Sequence, residues 1–187
     1  MATFLLVHGA WHGAWCWRRV ASRLRAAGHE VFTPTLTGLG ERLHLLTRDT
    51  DLGTHVDDVL GALVAEELAD VILVGHSYGG MVISGVAQRA PERLKHLVYL
   101  DAFVPKDGAS LEDLVPPAIF ADLRKATDAD GDGFRVPPFP VQAFGVTGPE
   151  EDVAWIGRRL VFQPLKTMTQ KVRVTNPAAA KLPRTYV

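Results

Sequence analysis

At 187 residues, with 47% apolar and 22% charged side chains, the chain has the length and composition of one globular domain that buries a substantial core. Its 20 basic and 21 acidic residues nearly cancel and form no Lys/Arg block, which excludes the electrostatic footprint of a nucleic-acid or anionic-membrane binder. One cysteine, Cys16, excludes an intrachain disulfide and the multi-cysteine zinc patterns.

Thr3 to His8 is a continuous apolar run with β-branched and aromatic content, the pattern of a strand buried on both faces. No basic segment precedes it, and no apolar run in the chain approaches the ~18 residues of a membrane span. It reads as a strand rather than a signal peptide, and the expected compartment is the cytoplasm. Trp15 to Ala27 has helical spacing (Trp17, Val20, Ala21, Leu24), with Gly28 placed to end it. Glu30 to Thr33 is a second strand, stopped by Pro34. Thr54 is the expected cap of a helix reaching about Leu68, with Asp57 and Asp58 where acid suits the helix dipole. Val71 to Val74 is a third buried strand, Tyr78 to Arg89 a helix, and Leu94 to Leu100 a fourth strand. Apolar strands alternating with helices predict an α/β fold: a mostly parallel sheet flanked by helices on both faces.

From Phe103 to about Lys171 the alternation breaks, with six prolines between Pro105 and Pro140. Gly148-Pro149-Glu150-Glu151 opens a helix to about Leu160, with Pro149 in its first turn. An insertion of this size after a sheet strand reads as a cap, giving a single domain with core 1–102 and 172–187 and cap 103–171. Pro183 to Val187 resembles a strand again. Asp128-Ala129-Asp130-Gly131-Asp132-Gly133 imitates the start of a calcium loop. The twelfth position, however, is Phe139 rather than Glu, and Pro137-Pro138 forbid the exiting helix, so the segment reads as a flexible acidic turn.

Gly75-His76-Ser77-Tyr78-Gly79, followed by Gly80, fits G-x-S-x-G. It follows a strand and precedes a helix, which is the context a nucleophile elbow requires. The strained turn leaves no room for side chains two residues before and after the serine, which is why glycines stand there. Oγ of Ser77 then projects above the sheet, with a helix N-terminus aimed at the site. An attacked ester carbonyl becomes an oxyanion and needs preorganised N–H donors. One is expected from Tyr78, the residue after the nucleophile. The other is expected from Ala10, in the glycine-flanked loop His8-Gly9-Ala10-Trp11-His12-Gly13.

The run His8 to Trp15, the elbow Gly75 to Gly80, and Leu100-Asp101-Ala102-Phe103-Val104-Pro105 with Gly108 together resemble one group of α/β-hydrolases, that of plant methyl esterases, hydroxynitrile lyases and bacterial esterases. Gly148-Pro149-Glu150-Glu151 and Leu182-Pro183-Arg184-Thr185-Tyr186 add to the likeness, which covers essentially the whole chain. The resemblance implies a Ser, Asp, His triad in that chain order, oxyanion N–H groups at Ala10 and Tyr78, and no cofactor or metal. Lyases of the group resemble Thr at the position of Gly9 and Glu-Ser-Cys at the elbow, so Gly9 and His76-Ser77-Tyr78 point to the esterase branch. The group's acid would follow the strand resembling Arg184 to Val187, and its histidine would come later still. Both fall outside these 187 residues, with the last strands and helices, so the chain reads as C-terminally truncated.

Asp101, at the end of the fourth strand, is a candidate substitute acid, although bonding backbone there is the stronger expectation. Among the histidines, His29 and His96 lie on the wrong edge of the sheet. His76 diverges around the elbow and His8 shapes the loop. His12, His44 and His55 are expected as loop or surface residues. Gly9, Trp11, Phe103 and Trp155 are candidates to line the substrate pocket, with Phe120, Phe139 and Phe144 as further apolar choices. The expected function is hydrolysis of small carboxylic esters through an acyl-enzyme on Ser77. The rivals are a hydroxynitrile lyase and a catalytically dead hydrolase-like ligand binder. The expected partner is a small-molecule ester, with neither nucleic acid nor membrane, and an open sheet edge predicts self-association.

Overall fold

The computed structural model describes residues 1–187 in full. Five strands form one parallel sheet: β1 (Thr3–Val7), β2 (Glu30–Phe32), β3 (Val71–His76), β4 (Leu94–Leu100) and, after a short antiparallel pair described below, β7 (Arg184–Tyr186). Their spatial order is β2-β1-β3-β4-β7. The chain therefore reverses its direction of winding between β1 and β3, and a crevice opens at the carboxyl ends of those two strands. Gly9 follows one of them and Ser77 the other.

The helices are α1 (Arg18–Ala26), α2 (Leu52–Ala65), α3 (Gly79–Arg89), α4 (Pro117–Asp130), α5 (Glu150–Gly157), α6 (Lys166–Thr169) and α7 (Pro177–Ala180). The main core lies on the α2 and α3 side, where Leu5, Val7, Leu73, Leu97 and Tyr99 meet Val56, Val59, Val82, Ile83 and Val86. A smaller cluster of Leu6, Trp17, Ala21, Val31 and Val74 packs under α1 on the opposite face. Ile72, Val98 and Leu100 on that second face are only half-buried, because α1 sits over β2 while no helix crosses β3 or β4 there.

Several expectations need correction. The first helix starts with one 3-10 turn, Ala14–Trp17, before α1. Asp51, not Thr54, caps α2. Its carboxylate accepts the Thr54 N–H at 2.9 Å while the Thr54 hydroxyl reaches back, so the pair forms a reciprocal box. A 3-10 segment at Gly40–Leu45 had no sequence signal strong enough to mark it. The proline-rich stretch holds a full helix, α4. Pro116 and Pro117 start it, since proline fits a first turn where no intrahelical N–H is needed. Asp128 and Asp130 therefore lie in the last turn of α4 rather than in a flexible turn, and Asp132 pairs with Arg135.

Residues 103–171 add no strand to the five-stranded sheet. They carry their own antiparallel pair, β5 (Arg135–Val136) with β6 (Gln163–Pro164). No helix is long and apolar enough to cross a membrane.

Candidate active site

β3 delivers the chain to Ser77, whose φ is +52°, in the left-handed region. A side chain there costs on the order of 1–3 kcal/mol, so surrounding bonds must hold it. The Ser77 carbonyl accepts from Gly80 N–H at 3.0 Å and from Phe103 N–H at 3.1 Å. Three glycines make the turn sterically feasible. A Cβ at Gly75 would stand 2.6 Å from the Gly79 carbonyl oxygen, one at Gly79 would stand 2.7 Å from that of Val7, and one at Gly80 would stand 2.1 Å from that of Phe103. All three obstacles are backbone and cannot step aside. α3 begins immediately after, its N-terminal N–H groups and dipole facing the serine. Ser77 itself is half-buried.

The loop after β1 comes to the same place. A Cβ on Gly9 would lie 3.1 Å from both Ser77 Cβ and His76 Nδ1, so backbone and serine are neighbours. The next peptides are held one by one. His8 Nδ1–H donates to the Gly9 carbonyl at 2.9 Å, and His8 Nε2 accepts the Leu36 N–H at 3.1 Å. His12 Nδ1–H donates to the Ala10 carbonyl at 2.6 Å. Trp11 has a φ of +63°, its N–H donating to Gln163 Oε1 at 3.1 Å and its carbonyl accepting from Val161 N–H at 3.0 Å. Two backbone N–H groups flanking the serine donate to nothing within the chain, those of Ala10 and Tyr78.

The histidines are committed elsewhere. His8 is fully buried, and burial pushes its pKa down to about 3; because Nε2 accepts, its proton sits on Nδ1. His55 is also fully buried, which corrects its expected place at the surface, and burial lowers it to about 4. Its Nε2–H donates to the Thr37 carbonyl at 2.8 Å, and Nδ1 accepts the Tyr78 hydroxyl at 2.9 Å. His12 is buried as well, its ring stacked on Trp15 and edge-on to Phe144, and burial lowers its pKa. His76 turns to the α1 side, 6.3 Å from the Trp17 ring, and desolvation lowers it too. His29 accepts from Ala2 N–H, His96 bonds the Thr185 hydroxyl, and His44 is exposed. None of these bonds reaches Ser77 Oγ. Asp101, with a φ of +42°, is exposed, and its N–H donates to the Val187 carbonyl at 2.8 Å. Its side chain hydrogen-bonds no histidine, so a base-orienting contact of Asp101 is not formed within these residues.

The candidate lining residues divide. Gly9 touches the serine, and the Phe103 backbone touches the elbow. Trp11 is buried between the loop and residues 103–171, against Phe139 at 5.0 Å and Phe144 at 6.0 Å, with its indole N–H on the Val136 carbonyl. Trp155 instead packs edge-on to Trp15 in a groove of about 930 Å³ between α1 and α5, which Ser77 does not line. Arg19 and Asp152 bridge that groove's rim at 3.0 Å. Sequence reasoning missed Gln163 and the pairing of His55 with Tyr78. Nothing local marks either, since their partners lie 152 and 23 residues away.

Comparison with known proteins bears on this arrangement. A family model described as the alpha/beta hydrolase family matches residues 4–187. A carbendazim hydrolyzing esterase of a Nocardioides strain is 47% identical over 194 aligned residues, covering all of this chain and 79% of its own length. A methyl jasmonate esterase of Vitis vinifera is 41% identical over 105 residues, which cover 54% of this chain and 40% of the relative. Among solved structures, an extracellular alpha/beta-hydrolase from a Paenibacillus species superposes with a TM-score of 0.88 at 30% identity, over the whole of this chain and 76% of that one.

Proposed function

The chain belongs to the alpha/beta hydrolase family, and from that membership we propose that it is a serine carboxylesterase acting on small esters. Ser77 attacks the ester carbonyl, and the N–H groups of Ala10 and Tyr78 receive the negative charge that develops on its oxygen. The acyl group passes to Ser77, the alcohol leaves, and water releases the acid. The observation that carries the reading is the meeting of a left-handed Ser77 with two uncommitted N–H groups on separate loops. Residues 103–171 serve as a cap, and Trp11 and Phe103 border the acyl or alcohol pocket.

Ser77 needs a base to take its proton, and the histidines of residues 1–187 bond other partners. The reading therefore assigns the base and its orienting acid to polypeptide outside these residues. The greater length of the relatives supports that assignment. Within residues 1–187, turnover is then residual, lower by on the order of 10⁴–10⁶. Gly9 favours the esterase over a lyase, because a Cβ at that position would lie 3.1 Å from Ser77 Cβ, and glycine puts no threonine hydroxyl there to handle a cyanohydrin. A cytoplasmic site of action belongs to the same proposal. So does self-association through the outer edge of β7, which pairs only with β4.

The test uses p-nitrophenyl acetate, whose good leaving group makes acylation the easier step. The expected result is release of at most one equivalent of p-nitrophenolate followed by a slow steady rate, both lost in Ser77→Ala. Product formation that survives Ser77→Ala, or cyanide release from mandelonitrile in place of ester cleavage, would overturn the reading.

A further inference from the structure

The loop bearing Ala10 is not self-supporting. Its three consecutive peptides have distinct anchors, and the decisive one comes from the far end of the chain. His8 fixes the Gly9–Ala10 peptide through its carbonyl and so turns the Ala10 N–H the opposite way, free of any partner. The following peptide, Ala10–Trp11, carries an N–H that would compete for the same space. It is withdrawn by Gln163 Oε1 at 3.1 Å. Gln163 lies on β6, is fully buried, and is itself locked, its Nε2 donating to Thr167 Oγ1 at 2.6 Å while that hydroxyl donates to the Pro164 carbonyl at 2.6 Å. Trp11 is held at φ +63° by two further bonds to residues 103–171: Val161 N–H to its carbonyl, and its indole N–H to the Val136 carbonyl.

The second donor is held by a separate buried contact. The Tyr78 hydroxyl donates to His55 Nδ1, and His55 is anchored by the Thr37 carbonyl. Tyr78, Thr167 and His55 are all fully buried, so a bond left unmade at any of them strands a polar group away from water. Trp11, which adjoins the free Ala10 N–H, is thereby tied to Gln163 and Thr167, while Tyr78, which bears the other, is tied to His55.

We propose that Gln163, braced by Thr167, is a positioning residue of the oxyanion site, setting the Ala10 N–H against the Tyr78 N–H only when β5 and β6 are docked on the loop after β1. The proposal rests on the esterase reading above and deepens it. Gln163 touches no reacting atom. It acts by removing the Trp11 N–H and fixing the backbone turn that presents Ala10.

The probe is phenylboronic acid, whose trigonal boron accepts Ser77 Oγ, the serine proton passing to solvent, to give a tetrahedral anion with an oxygen in the oxyanion position. Adduct formation needs no leaving group, and boron NMR reports its tetrahedral state. The variants are Gln163→Met, which keeps the side-chain length and deletes the acceptor, and Gln163→Glu, which keeps an oxygen for Trp11 N–H. Thr167→Val removes the brace at nearly constant volume and serves should Gln163→Met fold poorly. The expected result is a loss of boronate affinity of roughly 10- to 100-fold in Gln163→Met, below the 10²–10³-fold cost of deleting an oxyanion donor outright, with Gln163→Glu, which keeps the Trp11 acceptor but loses the donor to Thr167, falling between Gln163→Met and the parent. Thr167→Val should weaken binding in the same direction. Parent-like affinity in folded Gln163→Met or folded Thr167→Val would overturn the positioning role while leaving the esterase reading intact. Absence of any Ser77 adduct in the parent would overturn the esterase reading, and this inference with it.

Discussion

Ser77 adopts a backbone conformation that costs energy, and its glycine neighbours are there because backbone oxygens occupy the space of their missing side chains. Gly80 is the sharpest case, since its added Cβ would stand 2.1 Å from the Phe103 carbonyl oxygen. Gly80→Ala should therefore destabilise the fold by about 2–3 kcal/mol or more, the cost of forcing atoms into a packed core. A urea midpoint equal to the parent's would contradict this. The buried histidines give a second prediction. Unfolded, His8 and His55 titrate near 6.5, but in the fold burial holds them at about 3 and about 4. Between those values the unfolded chain binds more protons, so stability rises with pH. It is complete above roughly pH 6.5 and falls by about 1.4 kcal/mol per pH unit per histidine on acidification toward pH 4. Urea melts at pH 7 and pH 5 should show the drop. His55→Asn or a similar replacement should flatten it in part, and an unchanged midpoint across that range would contradict the buried neutral assignment.

At the level of elements, β7 is the exposed edge. Arg184–Tyr186 pair with β4 on one side, leave the other side open, and are all exposed, and the half-buried Ile72, Val98 and Leu100 lie on α1's face of the sheet but beyond the strand that α1 covers. Concentration-dependent sedimentation should show association of residues 1–187, and Tyr186→Pro, which removes a donor facing the open side of the edge strand, should reduce it. A monomer at all concentrations would contradict this. β1 to β4, α1, α2 and α3 were legible in the sequence because apolar runs and helical spacing report burial directly, and α5 because Pro149 marks its start, whereas the two-residue strands β5 and β6 carry no such pattern. The elbow was legible too, because steric necessity places glycines at fixed offsets from Ser77. α4 was not, since prolines count against a helix until it is known that they begin one. The cap of α2 was misplaced because Asp51 and Thr54 bond each other and either could lead. His55 and Gln163 were illegible for a different reason. A lone polar residue carries no mark of burial, and their partners are brought near only by the tertiary fold.

Taken whole, the molecule is a parallel sheet whose winding reverses between β1 and β3, so that two loops from adjacent strand ends meet at one serine. Residues 103–171 pack onto one of those loops through Trp11 and meet the other where the Phe103 N–H donates to the Ser77 carbonyl. The central claim is that Ser77 is the nucleophile and that its base lies outside residues 1–187. The most direct test is the rate and site of modification by a fluorophosphonate, followed by intact mass and peptide mapping. The account predicts a single adduct on Ser77 that accumulates over hours and is absent in Ser77→Ala. A modification elsewhere would remove Ser77 from the role, and a stoichiometric Ser77 adduct within seconds would place the base among the residues described.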